Sequence, residues 1–131
     1  MDQPRIRLGD DEASSWLELA QQGEDDWRVT AEWCSTFTAD YSALLTTEEA
    51  ADFAERMLAG LASGARFRAA VMPGRNNPLQ LVAEPAGDGY AFYARLTPDG
   101  DDEVGRLQMD IGPVDTRELL ALFAEFHASL A

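Results

Sequence analysis

The chain has 131 residues, 46% hydrophobic and 26% charged, a size that fits one domain burying roughly two-thirds of its unfolded surface. Its 24 acids against 10 bases leave a formal charge of -14, a field that repels nucleic acid and anionic membranes and attracts cationic partners. No apolar run approaches the ~20 residues that span a bilayer, and Met1–Glu12 holds no apolar stretch of signal-peptide type, so a cytoplasmic protein is expected.

The charge is uneven. Residues 1–55 carry 14 acids and three arginines, net -11, while residues 56–131 carry ten acids and seven arginines, net -3. All ten bases are arginine, and with 21 alanines this points to a GC-rich coding genome such as an actinobacterium's. Cys34 is the single cysteine, which excludes an intrachain disulfide and suits a reducing compartment.

In chain order, residues 5–9 form a short edge strand, followed by the acidic turn Asp10-Asp11-Glu12. Ser15–Gln21 is a second strand, and Glu24-Asp25-Asp26 turns the chain into the long stretch Trp27–Tyr41. There Trp27, Val29, Ala31, Trp33, Phe37, Ala39 and Tyr41 alternate with polar residues, which gives a strand with one oily and one wet face. Ser35 interrupts the oily face, so a bend there, or two shorter strands, is expected. Trp16, Trp27 and Trp33 all fall within this hairpin, as core or as the lining of a ligand site.

Thr46-Thr47-Glu48-Glu49 fits a capping box that opens a helix over Thr47–Ala62, with Phe53, Met57 and Leu61 as its apolar stripe. Gly60 and Gly64 suggest fraying and a C-cap. Four strands follow at short, turn-separated intervals: Ala65–Met72, Leu79–Glu84, Tyr90–Thr97 and Val104–Ile111. A closing helix spans Thr116–Leu130, with Asp115 as N-cap, Glu118 three residues on, and Leu119, Phe123, Phe126 and Leu130 as its stripe. Thr46–Leu61 aligns with Thr116–Ala131 without gaps, matching Phe53 to Phe123, which hints at two halves of similar plan.

Signatures of chemistry are missing from this pattern. His127 is the single histidine and has no nucleophile at a useful spacing; with one cysteine beside it, the usual zinc ligand sets are excluded. Asp99-Gly100-Asp101-Asp102-Glu103 spaces its acids like a calcium loop, but Val104 occupies the position that needs glycine. The sequence lacks G-x-S-x-G, G-x-x-x-x-G-K-[ST] and G-x-G-x-x-G. Arg66, Arg68 and Arg95 share the meander and form either a local basic patch or cross-strand pairs with Glu84 and Glu32.

The stretches Trp27-Arg28-Val29, Leu45–Glu49, Phe53, Leu79-Gln80-Leu81 and the Leu119–Phe126 helix carry a resemblance. The chain resembles a loose group of small bacterial, mostly actinobacterial proteins, to which the WapI-type immunity proteins are similar. That resemblance implies a small acidic protein binding a cognate, often basic, toxin domain.

The expected fold is a single α+β domain over 1–131: a mostly antiparallel sheet of six or seven strands, order β-β-β-α-β-β-β-β-α, with both helices on one face. The expected function is non-catalytic protein binding, with no cofactor and no metal, through Asp10, Asp11, Glu12, Glu24, Asp25 and Asp26 to a cationic protein. Two other readings stand beside it: a small-molecule binder or enzyme built on the tryptophan hairpin, and a homo-oligomer paired through an exposed edge strand.

Overall fold

The computed structural model describes residues 3–9, 15–33, 37–72, 77–97 and 107–130. Strands β1 (Arg5–Gly9), β2 (Ser15–Gln21), β3 (Asp26–Trp33) and β4 (Phe37–Leu44) lead into helix α1 (Thr47–Ser63). Strands β5 (Phe67–Ala70), β6 (Leu79–Ala86), β7 (Gly89–Leu96) and β8 (Leu107–Asp115) lead into helix α2 (Thr116–Ser129). The α+β class and antiparallel pairing expected from sequence are present.

The single six- or seven-stranded sheet is not. The strands form two four-stranded antiparallel meanders, β1-β2-β3-β4 and β5-β6-β7-β8. The stretch Trp27–Tyr41, expected as one bent strand or as two shorter ones, is two: it reverses between Trp33 and Phe37, which are register partners across the β3–β4 pair. Alternation alone cannot reveal this reversal, because the odd-numbered residues of Trp27–Trp33 and of Ala39–Ala43 keep the same parity on the same face. Helix α1 then carries the chain away from β4, so β5 starts a new sheet against β6. Each sheet has one apolar face, and burying both requires that they close over a common core.

The two β4α halves are wired alike. The N–H of the residue that follows each fourth strand donates to the turn before the third: Leu45 to the Asp25 carbonyl, and Thr116 to the Asp88 carbonyl, both at 3.2 Å. Burial corrects the gapless helix alignment by one residue. Buried Ala50, Ala54 and Met57 of α1 correspond to buried Leu119, Phe123 and Phe126 of α2, counted from the N-caps Thr46 and Asp115.

Each helix reaches the sheet of the other half. Helix α1 packs on sheet β5–β8: the Arg56 guanidinium donates to the Ala70 carbonyl at 3.0 Å, and the Tyr90 hydroxyl donates to the Ala65 carbonyl just past α1 at 3.0 Å. Helix α2 packs on β7 and β8 of its own half and also on β1 and on Trp27 of β3, whose ring meets Phe126 edge-on at 6.1 Å. Where the helices cross, Phe53 meets Phe123 edge-on at 6.2 Å. Both rings are fully buried, and with Leu17, Leu19, Leu79 and Leu81 they surround an apolar space of about 10 Å³, near the lower limit for one water and without polar partners for it. The core is closed.

The capping box of α1 is present as expected. The Glu49 N–H donates to Thr46 Oγ1 at 3.1 Å and the Thr46 N–H to Glu49 Oε1 at 2.9 Å. Asp115 is the N-cap of α2 as expected, but its side chain makes no cap bond. It is still paired in the sheet, opposite Gly89, and its extended backbone leads directly into the helix. Gly64 is the left-handed C-cap, with φ 72°. Gly60 marks no fraying: a Cβ there would enter the Phe67 ring, which stacks edge-on against Tyr90 at 5.5 Å. A second tie joins the sheets, as the Tyr41 hydroxyl of β4 donates to the Pro78 carbonyl beside β6 at 2.7 Å. Burial pushes this hydroxyl's pKa well above the ordinary tyrosine range.

Two substitutions test the packing. Phe123→Ala empties the crossing point and should cost about 3–5 kcal/mol in denaturant unfolding. Gly60→Ala would gain ~1 kcal/mol of helix propensity in an open helix. Here overpacking against Phe67, about 1–3 kcal/mol, should win, and the melting temperature should fall rather than rise.

Candidate functional site

Of the six acids that the sequence points to, Asp10, Asp11 and Glu12 lie outside the described residues. Glu24, Asp25 and Asp26 form the β2–β3 turn and are exposed. Their backbone is pinned. The Gln22 and Gly23 N–H groups donate to the Asp26 carbonyl at 2.7 and 3.0 Å, and the Gln21 side-chain amide donates to the Glu24 carbonyl at 3.0 Å. The Asp25 carbonyl accepts from Leu45, the residue before the cap of α1. That bond brings the turn to the start of α1, where Glu48 and Asp52 are also exposed. The positive end of the helix dipole favours acids at this position.

The tryptophans do not share a surface. Trp27 is fully buried in the core, and Trp33 is half-buried against it. Trp16 lies on the opposite, outward face of the sheet, where the Arg7 guanidinium sits 4.3 Å from its ring centroid and 3.5 Å from Glu18. Strand parity separates them: Trp16 stands opposite Glu32, while buried Leu17 stands opposite buried Ala31. An open groove of about 630 Å³ runs between β1 and α2, lined by Arg5, Arg7, Glu18, Leu122, Glu125 and Ser129. No tryptophan lines it.

The arginines of the meander fall on the outward face of β5–β8. Arg66 pairs with Glu84 at 3.0 Å, the cross-strand partner expected. Glu32 belongs to the other sheet and pairs with none of them through a shared ladder. His127 Nε2 lies 3.9 Å from Glu55 Oε1, an interhelical contact on the surface. Among the described residues no group of three or more His, Cys, Asp or Glu side chains could hold a metal. No helix described is long and apolar enough to cross a membrane. Cys34 and the Asp99–Glu103 loop lie outside the described residues.

One feature escaped sequence reading. Strand β4 pairs with β3 on one side only, and Leu44 at its end is 74% exposed. Arg28 of β3 forms a two-pronged pair with Asp40 of β4, at 2.5 and 3.0 Å, on the outward face. The hydrogen bond from Arg28 is the main cause holding the Asp40 carboxyl below its ordinary value. The sequence signal was present but weak, since the alternation of the central stretch continues past Tyr41 through Ala43.

No family model matches the chain, and no curated protein matches it. Among solved structures, the chain is similar to MRP1/MRP2 of Trypanosoma brucei, at 14% identity and a TM-score of 0.49, over 98% of this chain and 83% of that one. An overlap of that size leaves function to be argued from the chain's own surface.

The Arg28–Asp40 pair sets a pH expectation. A depressed carboxylate contributes stability above its unfolded value, and that contribution is lost as pH falls through the folded one. Carbon-detected NMR titration should place the Asp40 midpoint below 3.8, and Arg28→Gln should return it toward that value.

Proposed function

We propose that this chain is a non-catalytic protein-binding domain whose acidic N-terminal half meets a cationic partner. The observation that carries this reading is the exposed Glu24-Asp25-Asp26 turn, pinned by four backbone-directed hydrogen bonds beside the acids that open α1. A charged surface held in one conformation loses little entropy on docking, and its field speeds the encounter with an oppositely charged protein. Asp10, Asp11 and Glu12 lie outside the described residues, and Gly9 and Ser15, which flank their stretch, stand at the opposite end of the hairpin from this turn, so the proposed surface does not include them. Neutralisation of a basic toxin domain, as by the immunity proteins that the sequence resembles, is the specific form of this proposal, and a cytoplasmic setting goes with it.

A second reading, a ligand site on the tryptophan hairpin, loses its basis because Trp27 is core and Trp16 faces away from it. What supports binding over catalysis is therefore the surface.

The test is affinity capture from source-cell lysate with the tagged protein and with a Glu24→Gln/Asp25→Asn/Asp26→Asn variant. The substitutions spare the backbone carbonyls that pin the turn. A basic protein should be retained at low salt and shed at high salt, and the variant should bind it roughly tenfold more weakly, chiefly through slower association. Retention that ignores salt, or empty beads at both salts, would overturn the proposal.

A further inference from the structure

We infer that β4 is a self-association edge, through which two copies of this chain join their N-terminal sheets into one continuous antiparallel sheet about a two-fold axis. The inference is independent of the acidic-surface reading.

The two sheets have four edge strands, and three are guarded. Strand β1 is five residues long, follows Pro4, and lies against α2 and β8. Strand β5 has four residues and lies under α1. Strand β8 contains Pro113, breaks register opposite Tyr90–Phe92, and lies against β1 and β2. Strand β4 runs eight residues, Phe37–Leu44, without proline or register break. No helix or strand among the described residues lies along its free side. Its one acid, Asp40, is already matched by Arg28. A long, regular edge whose single acid is already paired is the feature that monomeric proteins normally block.

The free hydrogen-bonding groups can be assigned. The Leu45 N–H bond to the Asp25 carbonyl continues the β3–β4 ladder, whose partners run from Asp26↔Leu44 to Trp33↔Phe37. Hydrogen-bonded pairs alternate in such a ladder, so the odd-numbered residues of β4 face β3. Thr38, Asp40, Ser42 and Leu44 therefore aim their N–H and C=O groups at the open side.

The strand is complementary to itself in one register. With Tyr41 opposite its own copy, Thr38 pairs with Leu44 and Asp40 with Ser42 of the second copy, in both directions. These are the residues whose backbone groups are free. The neighbouring register sets Asp40 against Asp40 and is disfavoured by like charge. In the favoured one, Arg28 stands opposite Ser42 on its own sheet, and across the joint the row continues to Asp40 of the second copy. Two arginines and two aspartates then alternate over the axis, and the 74% exposed Leu44 gains a neighbour. This charge complementarity at the joint is what favours a second copy over a foreign strand. The net charge of -14 on each copy opposes approach at long range, but that repulsion is screened beyond ~8 Å at physiological salt. Dimer should thus strengthen with added salt, the opposite of the salt response of a cationic partner.

The test combines sedimentation equilibrium of the full chain over low micromolar to millimolar concentration with amide hydrogen exchange. The mass should rise from 14.4 kDa toward twice that value, more steeply at higher salt. In the dimer the Thr38, Asp40, Ser42 and Leu44 amides should slow together, and on dilution they should exchange fast again. Ser42→Pro removes one outward N–H without touching the bonds to β3, and should weaken the dimer about tenfold or more while the dilute melting curve holds. Leu44→Lys, at an exposed site, serves as the second variant should the proline disturb folding, and it should also favour monomer. A monomer at every concentration and salt would overturn the inference, and so would a dimer in which those four amides exchange freely.

Discussion

Everything in this structure depends on the crossing of the two helices. Phe53 and Phe123 meet edge-on there, and each helix continues onto the sheet of the other half. Trp27 of the first sheet rests on Phe126 of α2, and Tyr90 of the second sheet reaches the end of α1. These two aromatics occupy equivalent places, each the second residue of its half's third strand. A single half would leave part of its sheet's apolar face to water. The crossing is thus what makes one core from two meanders.

Most of the local structure was legible in the residues. The capping box at Thr46, the ends of β1 and β2, and the left-handed glycine at Gly64 follow from short-range chemistry that the sequence states directly. Gly60 was misread because its reason is a ring seven residues further on, pressed against the helix backbone by tertiary packing. Asp115 stands at the N-cap as its sequence position indicates, but its place in the sheet ladder leaves its side chain without a cap bond. The larger error, one sheet in place of two, arose where the pattern carries no information. A strand that reverses with even parity keeps its oily face, so Trp27–Tyr41 reads the same as one strand or as a hairpin.

The candidate surface was legible in composition more than in position. A concentration of acid in the N-terminal half says that a field exists. It does not say that the Glu24-Asp25-Asp26 backbone is locked to the start of α1, which depends on a bond spanning twenty residues of chain. The tryptophans show the converse. Their clustering in sequence suggested a common site, whereas strand parity sends Trp16 outward and Trp27 inward, one into a cation-π contact with Arg7 and the other into the core.

The reach of α2 onto the first sheet also bears on how the chain acquires its structure. The first sheet is complete by Leu44, yet the helix that covers β1 and Trp27 begins only at Thr116. During synthesis the part of the first sheet's apolar face that α2 covers therefore waits until the end of the chain is made. Contacts of such long sequence separation close late and slow folding. A large negative charge on that first half is well suited to this interval, since nascent copies that repel one another are protected from sticking before α2 arrives.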